Sequence, residues 1–210
     1  GVAPASIRAD LGEKTIFAAG SDLKACLGFY KNGKAVLSQH FGDLEDYGCA
    51  EVYKTSAEHI SKLFGFKPDL TVSDMHPAYF SSGLSAELYG INSIKVQHHH
   101  AHIASVMAEH NLDTVLGFAL DGTGYGENGE VWGGEALYCK GKNYKRVAPL
   151  KTVKMCGGDA LSKNAAESLA CYLIAGGVDL PEDIMPAGDA EIVAAAIKND
   201  INCVNSSSCG

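Results

Sequence analysis

Apolar positions come in short runs over the first forty residues and then settle into a spacing of three and four. Thr15-Ile16-Phe17-Ala18-Ala19 is an apolar run stopped by Gly20-Ser21, which predicts a strand. Residues 25–30 and 34–39 flank Lys31-Asn32-Gly33. Asn-Gly between apolar runs predicts a hairpin, because both turn residues tolerate positive φ. The chain therefore opens as an antiparallel meander, preceded by residues 1–12, read as a linker or tail around Pro4 and Gly12.

The pattern then alternates. A helix is expected over 50–64, with Val52, Ile60 and Leu63 as its buried stripe, then a strand over 70–74, a helix over 79–89 and a strand over 93–96. From 98 to 110 the spacing is helical again, with Ile103, Val106 and Met107 apolar. A second meander is expected over 115–120, 130–138 and 144–153. Two helices follow, 160–175 and 189–197, the second N-capped by Asp189. Residues 201–204 read as a strand and 205–210 as a loop. The restart predicts an α/β fold of two related lobes, 13–113 and 114–210, with the second lobe incomplete.

Composition narrows the class. The 210 residues are 46% hydrophobic and 20% charged, enough for a real core. No apolar run approaches the roughly 18 residues of a membrane span, and the N-terminus is no signal peptide, so no membrane role is expected. The net charge of −8, with no cluster of Lys and Arg, argues against a nucleic-acid partner, whose affinity rests on neutralising phosphates. The seven cysteines include no CxxC pair. They are read as reduced thiols of a cytoplasmic protein rather than as a zinc ribbon or a disulfide framework.

Two segments carry candidate chemistry. In Val96-Gln97-His98-His99-His100-Ala101-His102, four histidines fall within five positions at the start of a helix. His98 and His102 stand at i and i+4, on one helical face, where they can share a metal ion; the bland alternative is a set of capping and surface histidines. His99 and His100 point elsewhere and are candidates for acid/base work or for supporting the ligands. The second segment is Asp121-Gly122-Thr123-Gly124-Tyr125-Gly126, followed by Glu130-Val131-Trp132-Gly133-Gly134-Glu135. Its GxGxxG is not a dinucleotide fingerprint, because a strand and not a helix follows. It reads as a strand–turn–strand whose backbone at Gly122, Thr123, Gly124 and Gly126 approaches a phosphate or acyl group, or else as a plain tight hairpin. Asp121, placed at the end of a strand, is the natural third ligand, and two His with one carboxylate leave coordination positions open, as in catalytic sites. Such donors suit zinc and iron alike.

Two smaller motifs stay open. In Asp74-Met75-His76-Pro77, Asp74 either caps the next helix or faces a cleft, and His76 is a polar cleft residue and a further acid/base candidate. Gly158 and Asp159 either contact a nucleotide phosphate or cap a helix.

The Gln97–Ser105 and Asp121–Gly126 segments, with Trp132-Gly133-Gly134-Glu135, resemble the HypF family of hydrogenase maturation carbamoyltransferases over nearly the whole chain. Residues 38–45, Asp74-Met75-His76-Pro77 and Gly157-Gly158-Asp159 support the likeness. The resemblance implies the C-terminal carbamoyltransferase region of that family. This region is similar to the tRNA threonylcarbamoyltransferases, with the ribonuclease H-like fold of actin, the heat-shock chaperones and the sugar kinases. It implies metal ligands at His98, His102 and Asp121 and binding of ATP or carbamoyl-adenylate. It also implies carbamoyl transfer to the C-terminal cysteine of a HypE-like acceptor, on the way to the cyanide ligands of [NiFe] hydrogenase. Carbamoyl-adenylate would come from preceding domains this chain lacks, so the chain alone is expected to be inactive. Where the family carries Glu-Pro-Trp-Arg after Gly158-Asp159, this chain has Ser162-Lys163-Asn164-Ala165-Ala166-Glu167. The alternatives are an O-carbamoyltransferase acting on a small alcohol and a non-catalytic nucleotide-binding module.

Overall fold

The computed structural model describes residues 5–158, 161 and 164–209. The chain divides into two compact units: Gly1–Val115 with Cys139–Lys142, and Leu116–Tyr138 with Asn143–Gly210.

In the first unit, β1 (Ala5–Arg8), β2 (Ile16–Ala18), β3 (Gly28–Lys31), β4 (Lys34–Leu37), β5 (Leu70–Asp74) and β6 (Ile94–Val96) form one sheet, ordered β1-β4-β3-β2-β5-β6. The half from β1 to β2 is antiparallel, whereas β2, β5 and β6 run parallel. Parallel neighbours need long crossovers. Helices α1 (Tyr47–Leu63) and α2 (Phe80–Tyr89) supply them, and α3 (His98–His110) follows β6. The expected hairpin is present, with Asn32 and Gly33 at φ 51° and 76°. Residues 5–8, expected as part of a tail, instead pair with β4 from Ala5↔Leu37 to Arg8↔Lys34.

The first core gathers Phe17, Leu27, Phe29, Tyr53, Phe66 and Leu84. Helix α1 faces it with Ala50, Tyr53 and Ala57, and Ile60 packs at its margin. Two of the three positions expected in that stripe are exposed instead, Val52 at 53% and Leu63 at 67%. The spacing 50, 53, 57, 60 keeps one face of a 3.6-residue helix, from which 52 and 63 are turned away. Alanine at 50 and 57 supplies the face with small residues that a reading keyed to large apolar side chains passes over. On α3, Ile103 and Met107 are buried as expected, but Val106 is exposed.

In the second unit, β7 (Thr114–Tyr125), β8 (Val131–Lys140), β9 (Asn143–Pro149), β10 (Val153–Cys156) and β11 (Cys203–Ser206) make a sheet ordered β10-β11-β8-β7, with β9 also beside β8. The expected strand over 144–153 is two strands. Pro149, without an N–H, closes β9, and β10 pairs antiparallel with β11. Helices α4 (Ala165–Gly176) and α5 (Ala187–Asn199) cover β10, burying Met155, Cys156, Ala170, Cys171 and Val193. The α4 helix is capped by Asn164, whose side chain accepts from Glu167 N. Pro186, not Asp189, is the N-cap of α5. Asp189 lies in the first turn, where its charge favours the positive end of the helix dipole. Among the described residues, no helix is long and apolar enough to cross a membrane.

Candidate functional site

The histidine segment owes its geometry to Gln97. Its side-chain oxygen accepts from His100 N at 2.9 Å, capping α3, and its amide nitrogen donates to His99 Nδ1 at 3.2 Å. Starting the helix there puts His98 and His102 one turn apart on the same face. Their Nε2 atoms lie 3.2 Å from one another, with ring centroids 4.8 Å apart and planes at 84°. Two nitrogens bound at about 2.0–2.1 Å to a single ion stand about 2.9–3.4 Å apart for angles between 90° and tetrahedral. The pair therefore fits two adjacent corners of a coordination polyhedron.

The other nitrogen of His98 is equally defined. Nδ1 lies 2.7 Å from Asp74 Oδ2, and the Asp74 side chain is 5% exposed. Asp74 ends β5 and stands in register with Val96 of the parallel β6, immediately before α3. Its second oxygen accepts from His76 N at 2.8 Å, and Met75 N donates to Val96 O. A carboxylate at Nδ1 keeps the proton there and leaves the Nε2 lone pair to a ligand. Imidazole nitrogens backed by a carboxylate suit a divalent zinc or iron ion.

The sequence left Asp74 between two roles, and the structure gives helix capping to another residue. Asp22, which the sequence reading missed, accepts from Phe80 N and Ser81 N at the start of α2, at 2.7 and 2.9 Å. Only its acidity and a loop position marked it in the sequence. His99 is fully buried and His100 nearly so, and burial pulls the His100 imidazole below its ordinary pKa. The His99 ring stays 5.5 Å from that of His98. His76 stacks on Tyr79 at 4.1 Å, and its Nδ1 accepts from Ala78 N.

In the second unit, Asp121 lies within the twelve-residue β7 rather than at a strand end. The turn comes later, where Gly126 N donates to Glu130 O and Gly129 takes φ 75°. The glycines at 122 and 124 do not break the strand, which lies beside β8 in the sheet. Gly122 and Thr123 are exposed, whereas Gly124 and Gly126 are buried. Gly122 N donates to Asp121 Oδ1, and Gly122 O accepts from Ser208 Oγ. A Cβ on Gly133 would collide with Asp121 O and Ser208, so the glycine of Trp132-Gly133-Gly134 allows three segments to meet at Asp121. Gly157 and Gly158, both at positive φ, turn the chain out of β10 beside Asn202 and Glu167. Asp159 lies outside the described residues.

Comparison with known proteins gives this arrangement a family. The model described as "HypF Kae1-like domain" matches residues 12–109, and "Carbamoyltransferase, Kae1-like Domain, second subdomain" matches 117–210. The chain is 35% identical over 181 residues to Carbamoyltransferase HypF2 of Cupriavidus necator, covering 84% of this chain and 22% of that protein. It is 34% identical to a full-length HypF solved in a phosphate- and nucleotide-bound form, with a TM-score of 0.84, covering 99% of this chain and 28% of that one. The HypF of T. kodakarensis is also 34% identical, with a TM-score of 0.88 over 100% of this chain and 30% of that one. The chain thus spans less than a third of the length of each of these three proteins, and the Kae1-like architecture agrees with the actin-like fold expected from the sequence. Matched in succession by both subdomain models, it belongs to the HypF carbamoyltransferase family, in that family's Kae1-like region.

Proposed function

We propose that this chain is the carbamoyl-transfer region of a hydrogenase maturation enzyme. It would hold a divalent ion, zinc or iron, through His98, His102 and Asp121. The observation that carries the reading is the 3.2 Å approach of His98 Nε2 and His102 Nε2. Family membership supports the reaction class, and the phosphate- and nucleotide-bound relative supports a nucleotide ligand. When bound, the ion supplies Lewis-acid polarisation of a carbonyl or phosphoryl oxygen.

The substrate is carbamoyl-adenylate, and the acceptor is the C-terminal cysteine of a HypE-like protein. The acceptor sulfur attacks the carbamoyl carbon, forming a C–S bond while the C–O bond to the adenylate phosphate breaks. AMP departs, and the thiol proton passes to a nearby base or to water. The backbone of Gly122, Thr123, Gly124 and Gly126 approaches the phosphate, where glycine offers no Cβ to hinder it, and Gly158 makes a second contact. His76, His99 and His100 are the candidates for moving the proton.

Elemental analysis of the purified chain beside its His98→Ala/His102→Ala double variant, both folded by circular dichroism, tests the site. Close to one ion per chain in the parent and none in the variant is the expected result. Equal metal content in both would remove the histidine pair from the site.

A further inference from the structure

We infer that Asp74 is a positioning residue for this metal site, fixing His98 in the tautomer that presents Nε2 to the ion. The inference rests on the metal reading above and goes beyond it, because Asp74 is no ligand in that reading. Three observations carry it. The carboxylate is nearly buried, so it is not a surface charge that happens to lie nearby. Its Oδ2 stands 2.7 Å from His98 Nδ1, on the opposite side of the ring from the nitrogen that faces His102. Its Oδ1 accepts from His76 N, so the carboxyl plane is held from both oxygens and cannot swing away from the ring.

The arrangement is a carboxylate–histidine–ligand relay built from secondary structure. Parallel pairing of β5 and β6 in the register Asp74↔Val96 sets the last residue of one strand beside the first turn of α3. Ser82 Oγ donates to the carbonyls of Asp74 and His76, tying the loop to α2. Partners of this kind orient a ligating histidine and raise its basicity, and their loss commonly lowers metal affinity about 10–100-fold.

The chemistry of the amide makes the test specific. In Asp74→Asn the amide oxygen can keep the His76 N–H bond, which leaves its NH2 facing His98 Nδ1. That NH2 donates, so it selects the ring form with the proton on Nε2, where no lone pair is left for the ion. Asp74→Ala only frees the ring to sample both forms. Asparagine, the closer isostere, is therefore expected to do more harm to metal binding than alanine, the reverse of what a purely structural role gives.

Zinc affinity would be measured by competition with a chromophoric chelator for the parent, Asp74→Asn, Asp74→Ala and His98→Ala. The expected order of affinity is parent, Asp74→Ala, Asp74→Asn, with the asparagine variant weaker than the parent by about 10–100-fold and His98→Ala weakest. Asp74 variants that bind zinc like the parent would overturn this inference and leave the metal site standing. A parent that binds no better than His98→Ala would overturn both. A second measurement needs no variant. Nitrogen NMR of the metal-free parent should show His98 protonated at Nδ1, and protonation at Nε2 instead would overturn the inference.

Discussion

At the scale of single residues, the charge that starts α2 comes from far along the chain. Asp22 reaches Phe80 N across 58 positions, and the residue that formally caps the helix, Tyr79, makes no side-chain cap bond. Both oxygens of Asp22 accept from amides at the start of α2, the Ser81 bond buried and the Phe80 bond partly so. Asp22→Ala is therefore expected to cost about 2–3 kcal/mol, read as a lower urea midpoint at unchanged slope, because two N–H groups lose their partner at once. A midpoint within error of the parent would mean that water reaches the helix end. Cys156 poses a pH question of similar kind. Burial pushes its thiol up to about 12, with the Cys171 sulfur at 3.9 Å adding to the effect. A group whose pKa is raised on folding stabilises fully below its unfolded value, near 8.5 for cysteine. That contribution is lost as pH climbs from there through the folded value. Stability should accordingly fall between about pH 8.5 and 12, and Cys156→Ala, though less stable at pH 7, should show a shallower decline. The variant leaves some slope, since burial also raises Tyr53 and Cys139.

At the scale of elements, what the sequence disclosed was local. The Asn32-Gly33 turn and the helix from 98 to 110 were readable because their determinants lie within a few residues of the structure they specify. The His98–His102 spacing follows from that helix alone. Side-chain contacts between strands were not readable. Arg146 of β9 donates through Nε and Nη2 to the buried Glu135 of β8 at 2.6 and 2.9 Å, and its guanidinium lies 4.0 Å from the Trp132 ring centroid. Ser207, just past β11, donates to the same carboxylate. A planar fork satisfies two carboxylate oxygens and one aromatic face together, which an ammonium cannot do. Arg146→Met should cost about 3–5 kcal/mol, because it strands a carboxylate with no exposed surface. Arg146→Lys should recover little of that loss. Trp132 is the only tryptophan, so its fluorescence reports the unfolding directly. If Lys restored parental stability, a point charge would be all that Glu135 requires.

At the scale of the whole molecule, the two subdomain matches point to one family, but the residues that read as ligands come from segments folded in different ways. That His98 and His102 share one helical face was legible, because a helix repeats every turn. Asp121 was legible as a motif yet misplaced as the end of a strand, because sequence could not reveal that β7 runs on to Tyr125 beside β8. Its candidacy as a ligand therefore needs a test that separates chemistry from support of the fold. Asp121 O accepts from Cys209 N through the backbone, an interaction that any side chain at 121 preserves. Asp121→Ala gives up the exposed bond from Gly122 N to Oδ1, and should leave the fold intact while removing one donor from the ion. Placed in a full-length HypF that carries this region, the variant should form carbamoyl-adenylate at the parental rate and fail to carbamoylate the acceptor thiol. The first activity is read by ATP–pyrophosphate exchange that requires carbamoyl phosphate, the second by the mass of the acceptor. Loss of both activities together would mean that Asp121 supports the protein as a whole, and the proposed division between making the adenylate and spending it would fall. Retention of both would exclude Asp121 from the ligand set and leave the histidine pair in need of another oxygen donor.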